Sequence, residues 1–179
     1  MVITIAAITK DRVIGKGPNI PWHISEDFKL FKRLTTGHAV VMGSKTYKSM
    51  GKALPNRYNV VLSFEPMKLS DAVVFTDFKE GLEHAKEWAK ENVKDVFIIG
   101  GATIYKLGLP YSDKLYLSHI KKDYSGDVFF PSFSTDDWEV EKEQDYKEFT
   151  FRVYKRKDRS NKYIFEDECC KAYAPRIVP

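Results

Sequence analysis

Phe78 to Ile99 reads FKEGLEHAKEWAKENVKDVFII. Phe78, Leu82, Ala85 and Ala89 recur at i, i+4, i+7 and i+11, the spacing of one helix face, so 78–91 is expected to be an amphipathic helix. Val96-Phe97-Ile98-Ile99 is apolar at every position, as a parallel strand covered on both faces would be. Working outward, short β-branched runs predict strands at 2–8, 39–43, 58–62, 73–75, 95–99, 115–120, 137–142 and 149–155. Helical patterns fall between them at 25–35, 44–50 and 102–109. Strand-helix-strand order implies one α/β domain, a mainly parallel sheet with helices on both faces. The last two strands have no helix between them, which predicts a hairpin and an antiparallel C-terminal strand.

A chain of 179 residues suits a single domain with a sizeable core. No apolar run approaches the roughly 18 residues of a membrane span, so no membrane partner is expected. Met1 to Ile8 is short for a signal peptide and has no basic leader, and it reads as the first strand. The net charge of +4 is spread along the chain. It does not call for nucleic acid and suits an enzyme with anionic ligands. The two cysteines, Cys169 and Cys170, are adjacent and near the C-terminus, so they cannot staple the core. That favours a reducing, cytoplasmic setting. Past Lys157 the sequence turns polar and then loses any clean period, so 158–179 reads as an appendage of unassigned role beside a unit spanning 1–157.

The chemistry concentrates between Gly15 and Thr35. Ser25 is the expected N-cap, with Glu26 and Asp27 in the first turn, where the helix dipole favours acids. Asp27, Phe31 and Leu34 share one face. A carboxylate on an apolar face is costly unless it is paired or functional. A cap at a solvent edge is the alternative that this spacing leaves open. Upstream, Gly15-Lys16-Gly17-Pro18-Asn19 followed by Pro21-Trp22 has the makings of a mobile lid. The strand 39–43 runs into Gly43-Ser44-Lys45-Thr46 and a helix, which places N–H groups and a hydroxyl where a pyrophosphate could dock. Gly100-Gly101 repeats that arrangement, although a tight turn is the commoner reason for such a pair. Neither a Rossmann fingerprint nor a Walker A loop is present. His23, His38, His84 and His119 lack metal-ligand spacing, so packing or surface roles and no metal are expected. Trp88 and Trp138 read as core or rim aromatics, and Glu87, Lys90 and Lys94 as a solvated face.

Ile14-Gly15, Ile20-Pro21-Trp22, Asp27, Phe31 and Thr35, at these spacings, resemble the signature of the dihydrofolate reductase family. The likeness continues through Met42-Gly43, Thr46, Leu54-Pro55, Arg57, Gly100-Gly101, Tyr105, Leu117-Ser118-His119-Ile120 and Gly126-Asp127, and covers about residues 1–157. The resemblance implies an eight-stranded, mainly parallel sheet with an antiparallel C-terminal strand. It implies reduction of dihydrofolate by hydride from NADPH, in support of one-carbon metabolism, with no obligate protein partner. By resemblance, Asp27 bonds the pterin ring nitrogen and 2-amino group, Ser118 supports that carboxylate, and Trp22 holds a water and packs the lid. Ile5, Ala7, Phe31, Leu54 and Ile99 wall the substrate, Phe31 and Leu54 embracing its aminobenzoyl ring, and Arg57 clamps the glutamate carboxylate. The implied NADPH contacts are Ala7, Ile14, Gly15 and Ile20, then Gly43, Ser44, Lys45 and Thr46, then Leu62 and Ser63. To these the resemblance adds Ile99, Gly100, Gly101, Ala102, Thr103, Ile104 and Tyr105.

Several positions depart from the family's commoner bacterial pattern. Ser44 and Thr103 stand where arginines are frequent, leaving Lys45 and Ser63 to meet a 2′-phosphate. Asn56 replaces a glycine before Arg57, and Ser118 replaces a threonine but keeps the hydroxyl. Two other readings compete. One is a reductase of the same fold acting on a pyrimidine of riboflavin synthesis, which would not be expected to keep Pro21-Trp22, Asp27 and Arg57 together. The other is a non-catalytic binding protein on this scaffold that contacts a partner through its tail.

Overall fold

The computed structural model describes residues 1–157, so the expectations for 158–179 lie outside the described residues. Its elements run β1 (Val2–Ile8), β2 (Val13–Gly15), α1 (Ser25–Thr35), β3 (Ala39–Gly43), α2 (Ser44–Met50), β4 (Tyr58–Leu62) and β5 (Val73–Phe75). There follow α3 (Phe78–Glu91), β6 (Val96–Gly100), α4 (Ala102–Gly108), a 3-10 turn at Leu109–Tyr111, and β7 (Lys114–Ile120). The last elements are β8 (Val128–Phe129), β9 (Trp138–Asp145) and β10 (Phe149–Arg156). An eight-stranded sheet has the order β5-β4-β3-β6-β1-β7-β10-β9. All its pairs are parallel except β10, which runs antiparallel to β7 and β9.

Alternation along the parallel strands sends successive side chains to opposite faces, and each face has its own core. Val41, Val60 and Ile98 pack under Leu82, Ala85 and Ala89 of α3 and Ile104 of α4. Val40, Met42, Val61 and Phe97 pack on the other face with Phe31 and Leu34 of α1 and Tyr47 and Met50 of α2. Leu82 is 1% exposed, and cutting it to alanine would cost about 2–5 kcal/mol.

The differences from sequence expectation have local causes. Ile24, not Ser25, occupies the α1 cap position, and no side chain caps the helix. Ile24 is 2% exposed, so burial fixes it there and places Ser25 inside the first turn. The sixth strand begins at Val96 rather than 95, because Asp95 faces outward to accept the N-terminal ammonium at 2.8 Å while its own N–H donates to His38 Nδ1. β9 continues to Asp145 instead of stopping at 142: Glu141, Glu143 and Asp145 pair with Lys114, Arg152 and Lys121, and these ion pairs extend the strand past its apolar pattern. Helix α4 ends at Gly108 rather than 109, ahead of Pro110, which has no N–H to continue it. The small β2–β8 sheet was not expected, since three and two residues carry too little periodicity to register.

Candidate active site

β1 and β6 pair only from Val2–Thr4 to Val96–Ile98, while β1 stays paired with β7 as far as Ile8. The chain leaves β1 through α1 toward β3 on one face, and leaves β6 through α4 toward β7 on the other. A crevice therefore opens at the carboxyl ends of β1 and β6, where ligands bind in open α/β sheets. At its floor the Tyr105 hydroxyl lies 2.9 Å from both the Ile5 and the Ile99 carbonyls, its single proton shared between them, tying together the two strands just where they part.

Helix α1 lies across this opening. Asp27, in its first turn, faces the Ser118 hydroxyl on β7, near enough for that O–H to lower the carboxyl's pKa. Ser118 is buried and sits in register with Ala7 of β1. Burial raises the Asp27 pKa above the usual carboxylate value, and the Ser118 hydrogen bond pulls it partly back. Burial, and then the charge of Asp27, raise the Tyr105 phenol above its ordinary value, so acid and phenol sense each other across the crevice. A helix cap in water would show neither effect. Asp27 is thus a half-buried acid, and because no side chain caps α1 the cap alternative falls away.

Phe31 follows Asp27 by one turn, and Phe31, Leu54, Ile5 and Ile99 belong to one apolar cluster. Arg57 ends the α2–β4 loop with its guanidinium 5.9 Å from the Phe31 ring. Its Nε donates to Thr35 Oγ1 at 2.8 Å, and a terminal nitrogen donates to the Pro55 carbonyl at 2.7 Å. A third, longer bond of 3.4 Å reaches the Lys32 carbonyl. A guanidinium carries five N–H donors, so two remain to meet a planar anion as a fork. Burial lowers the Arg57 pKa, yet from so high a start the group stays charged. Asn56 holds φ at 58°, the left-handed geometry that glycine would supply at no cost, so the departure at this position leaves the turn intact.

The lid segment is better ordered than a loose loop. Lys16 and Asn19 exchange backbone hydrogen bonds around Gly17-Pro18, Gly17 having φ 57°. The Asp127 carboxylate accepts the Gly17 N–H at 2.8 Å, and the Asp127 N–H donates to the Gly15 carbonyl at 3.1 Å. Trp22 is buried, with its ring 5.3 Å from Tyr124. Ile20 is half exposed at the lid's end, and Ile14 packs against the core.

Gly43, Leu62 and Gly100 end three neighbouring strands. A Cβ on Gly43 would lie 3.1 Å from Ile104, and one on Gly101 would lie 3.3 Å from Thr46 Oγ1. Gly100 has φ 107° and the peptide to Gly101 is cis. Neither α2 nor α4 has a side-chain cap, so the first-turn N–H groups of Ser44, Lys45 and Thr46 and of Ala102, Thr103 and Ile104 are left for another acceptor. Lys45 and Thr103 are exposed, whereas Ile104 and Tyr105 are buried and offer backbone rather than side chain. Ser63 is buried and already donates to the Glu65 carbonyl at 2.8 Å. Its proton is therefore committed, and a phosphate, itself an acceptor, has Lys45 as the available donor of the pair.

Sequence reasoning missed Asn59, Asp71 and Tyr124. Asn59 left one usable signal: it is a polar residue on the strand face it shares with the apolar Val61. Among the described residues no group of histidine, cysteine, aspartate and glutamate could hold a metal. His84 and His119 instead lie against the hydroxyls of Tyr58 and Tyr154, and Trp88 stacks on Tyr58. No helix among the described residues is long and apolar enough to cross a membrane.

With this geometry in hand, the chain can be set beside known proteins. The profile of the family described as Dihydrofolate reductase matches residues 1–157. The dihydrofolate reductase of Bacillus subtilis is 34% identical, covering 89% of this chain and 97% of its own length. That of Haemophilus influenzae is 36% identical, covering 89% and 91%. Among solved structures, a dihydrofolate reductase from Enterococcus faecalis complexed with NADP(H) and RAB-propyl superposes with a TM-score of 0.78 at 31% identity, covering 88% of this chain and 97% of that one.

Proposed function

Because the chain belongs to the dihydrofolate reductase family, we propose a division of labour among the residues of its crevice. It is an oxidoreductase that reduces 7,8-dihydrofolate to tetrahydrofolate with NADPH and so feeds one-carbon metabolism. That membership sets aside the pyrimidine reductase and the non-catalytic scaffold. The unit spanning 1–157 carries the activity, in the cytoplasm, on small-molecule ligands, with no need of a protein partner or nucleic acid.

The observation that carries the reading is the Asp27 carboxylate, half-buried beside the buried Ser118. NADPH supplies the hydride. The residues of this chain bind, orient and manage the proton. The pterin ring lies with its N–H donors on Asp27, which satisfies a carboxylate that partial burial has deprived of some of its water. Ser118 offsets part of that burial by donating to the carboxylate. The negative potential of a lone buried acid favours protonation of the ring nitrogen beside the acceptor carbon, and a water brought in by Trp22 can deliver the proton. Phe31 and Leu54 hold the aminobenzoyl ring, and Arg57 grips the glutamate carboxylate with its two remaining N–H groups.

The glycines support the cofactor's fit. At Gly43 and Gly101 a side chain would fill the space between the ends of β3 and β6, the space through which a pyrophosphate would approach the uncapped turns of α2 and α4. Lys45 would meet the 2′-phosphate, and the lid residues Ile14, Gly15 and Ile20 would cover the nicotinamide and exclude water.

The direct test follows NADPH absorbance on adding dihydrofolate to the purified chain. Absorbance should fall with turnover, and should not fall when the substrate is omitted. A folded preparation that binds NADPH but leaves dihydrofolate unreduced would contradict the reading.

A further inference from the structure

Asn59 is the second residue of β4, 6% exposed, on the strand face that otherwise carries apolar side chains. Its amide is committed wholly to the loop that precedes it. Oδ1 accepts the Leu54 N–H at 2.9 Å, and Nδ2 donates to the Leu54 and Arg57 carbonyls, each at 2.9 Å. Both donors of the amide are thereby used. One side chain therefore grips Leu54 at both its N–H and its carbonyl, as a neighbouring strand would, and reaches Arg57 as well. Asp71 secures the residue before: one carboxylate oxygen accepts the Ala53 N–H at 2.8 Å and the other accepts the Tyr47 hydroxyl at 2.7 Å, which ties the loop to α2.

Residues 51–57 belong to neither a helix nor a strand, so no backbone ladder sets their shape. Side chains from flanking elements set it instead, with one backbone bond from the Gly37 N–H to the Asn56 carbonyl at 2.7 Å. This loop carries both Leu54 and Arg57. We propose that Asn59, backed by Asp71, is a positioning residue for the substrate. It fixes Leu54 against Phe31 and points Arg57 at the glutamate carboxylate, and so sets the affinity for dihydrofolate while taking no part in hydride transfer. The inference rests on the substrate roles assigned above to Leu54 and Arg57.

Steady-state kinetics of the full chain carrying Asn59→Leu, Asp71→Ala or Arg57→Ala test it, with dihydrofolate and with a truncated substrate that ends at the aminobenzoate. Asn59→Leu strands three partly buried backbone groups, so KM for dihydrofolate should rise about tenfold or more. Its kcat and its NADPH affinity should stay within about twofold, the split expected of lost uniform binding. The penalty should shrink for the truncated substrate, which has nothing for Arg57 to hold. Asp71 is exposed, so Asp71→Ala keeps the fold and should raise the same KM by about threefold. If Asn59→Leu fails to fold, Asp71→Ala decides the matter. Folded variants with unchanged KM, beside an Arg57→Ala that raises it, would overturn the inference and leave the site reading intact. Equal losses in kcat, NADPH binding and dihydrofolate KM would show a merely structural role and overturn it too. An Arg57→Ala with unchanged KM would remove the site reading and this inference with it.

Discussion

Gly126 lies so close to Gly15 that a Cβ on it would sit 2.3 Å from the Gly15 carbonyl oxygen and 2.4 Å from a Val13 methyl carbon. The next residue, Asp127, bonds Gly15 and Gly17. The β7–β8 connection is thus pressed against the lid with no room for a side chain between them. Gly126→Ala must push the two apart, because the atom in its way is backbone. Amide exchange over residues 15–19 should quicken, and hydride transfer should slow by about tenfold or more, as a displaced lid misaligns donor and acceptor. Unchanged exchange and rate would mean that this close approach does nothing for the lid.

The 2′-phosphate should depend on Lys45, because the Ser63 proton already serves Glu65. Lys45→Ala should weaken NADPH binding by about 1–3 kcal/mol, the scale of a charge-assisted hydrogen bond, and leave NADH nearly unaffected. Fluorescence titration with both cofactors measures this. Equal losses would show that Lys45 contacts some other part of the molecule.

His119 makes the fold acid-sensitive. Burial, and then the nearby Arg152 cation, lower its pKa from 6.5 to about 4, with the Tyr154 hydroxyl 2.9 Å from Nε2. The unfolded chain therefore binds this proton more readily than the native one. Stability from the neutral ring is complete above pH 6.5 and is lost as pH falls toward about 4. His119→Gln, which has no proton to take up, should move the acid-unfolding midpoint to lower pH. A midpoint that stayed in place would mean that other groups drive acid unfolding.

Strong periodicity made most of the fold readable. The helices at 25–35, 44–50 and 78–91 and four strands stand where the pattern placed them, because each buries one face or both. What stayed hidden is held by side chains rather than by periodicity: the extension of β9 rests on ion pairs, and the shape of residues 51–57 rests on Asn59 and Asp71. Asp27 was legible as an acid on an apolar face, but its partner Ser118 lies 91 residues further on, and only the packing of α1 on the β7–β10 side of the sheet brings the two together. Ser25 misled for the opposite reason. Its cap propensity lost to the burial of Ile24.

The acid at the centre of the site should cost stability. With its pKa raised by burial, the native chain binds this proton more tightly than the unfolded one. Stability therefore falls as pH rises from the ordinary carboxylate value through the raised one, and the penalty persists at neutral pH. Asp27→Asn should accordingly fold, keep its NADPH affinity and melt at a higher temperature near neutral pH. The decisive measurement is its single-turnover hydride-transfer rate as a function of pH. The account predicts a rate near neutral pH at least about a hundredfold below that of the unmutated chain, climbing as pH falls because solvent then supplies the proton the carboxylate had favoured. A pH–rate profile that superimposes on that of the unmutated chain would contradict it.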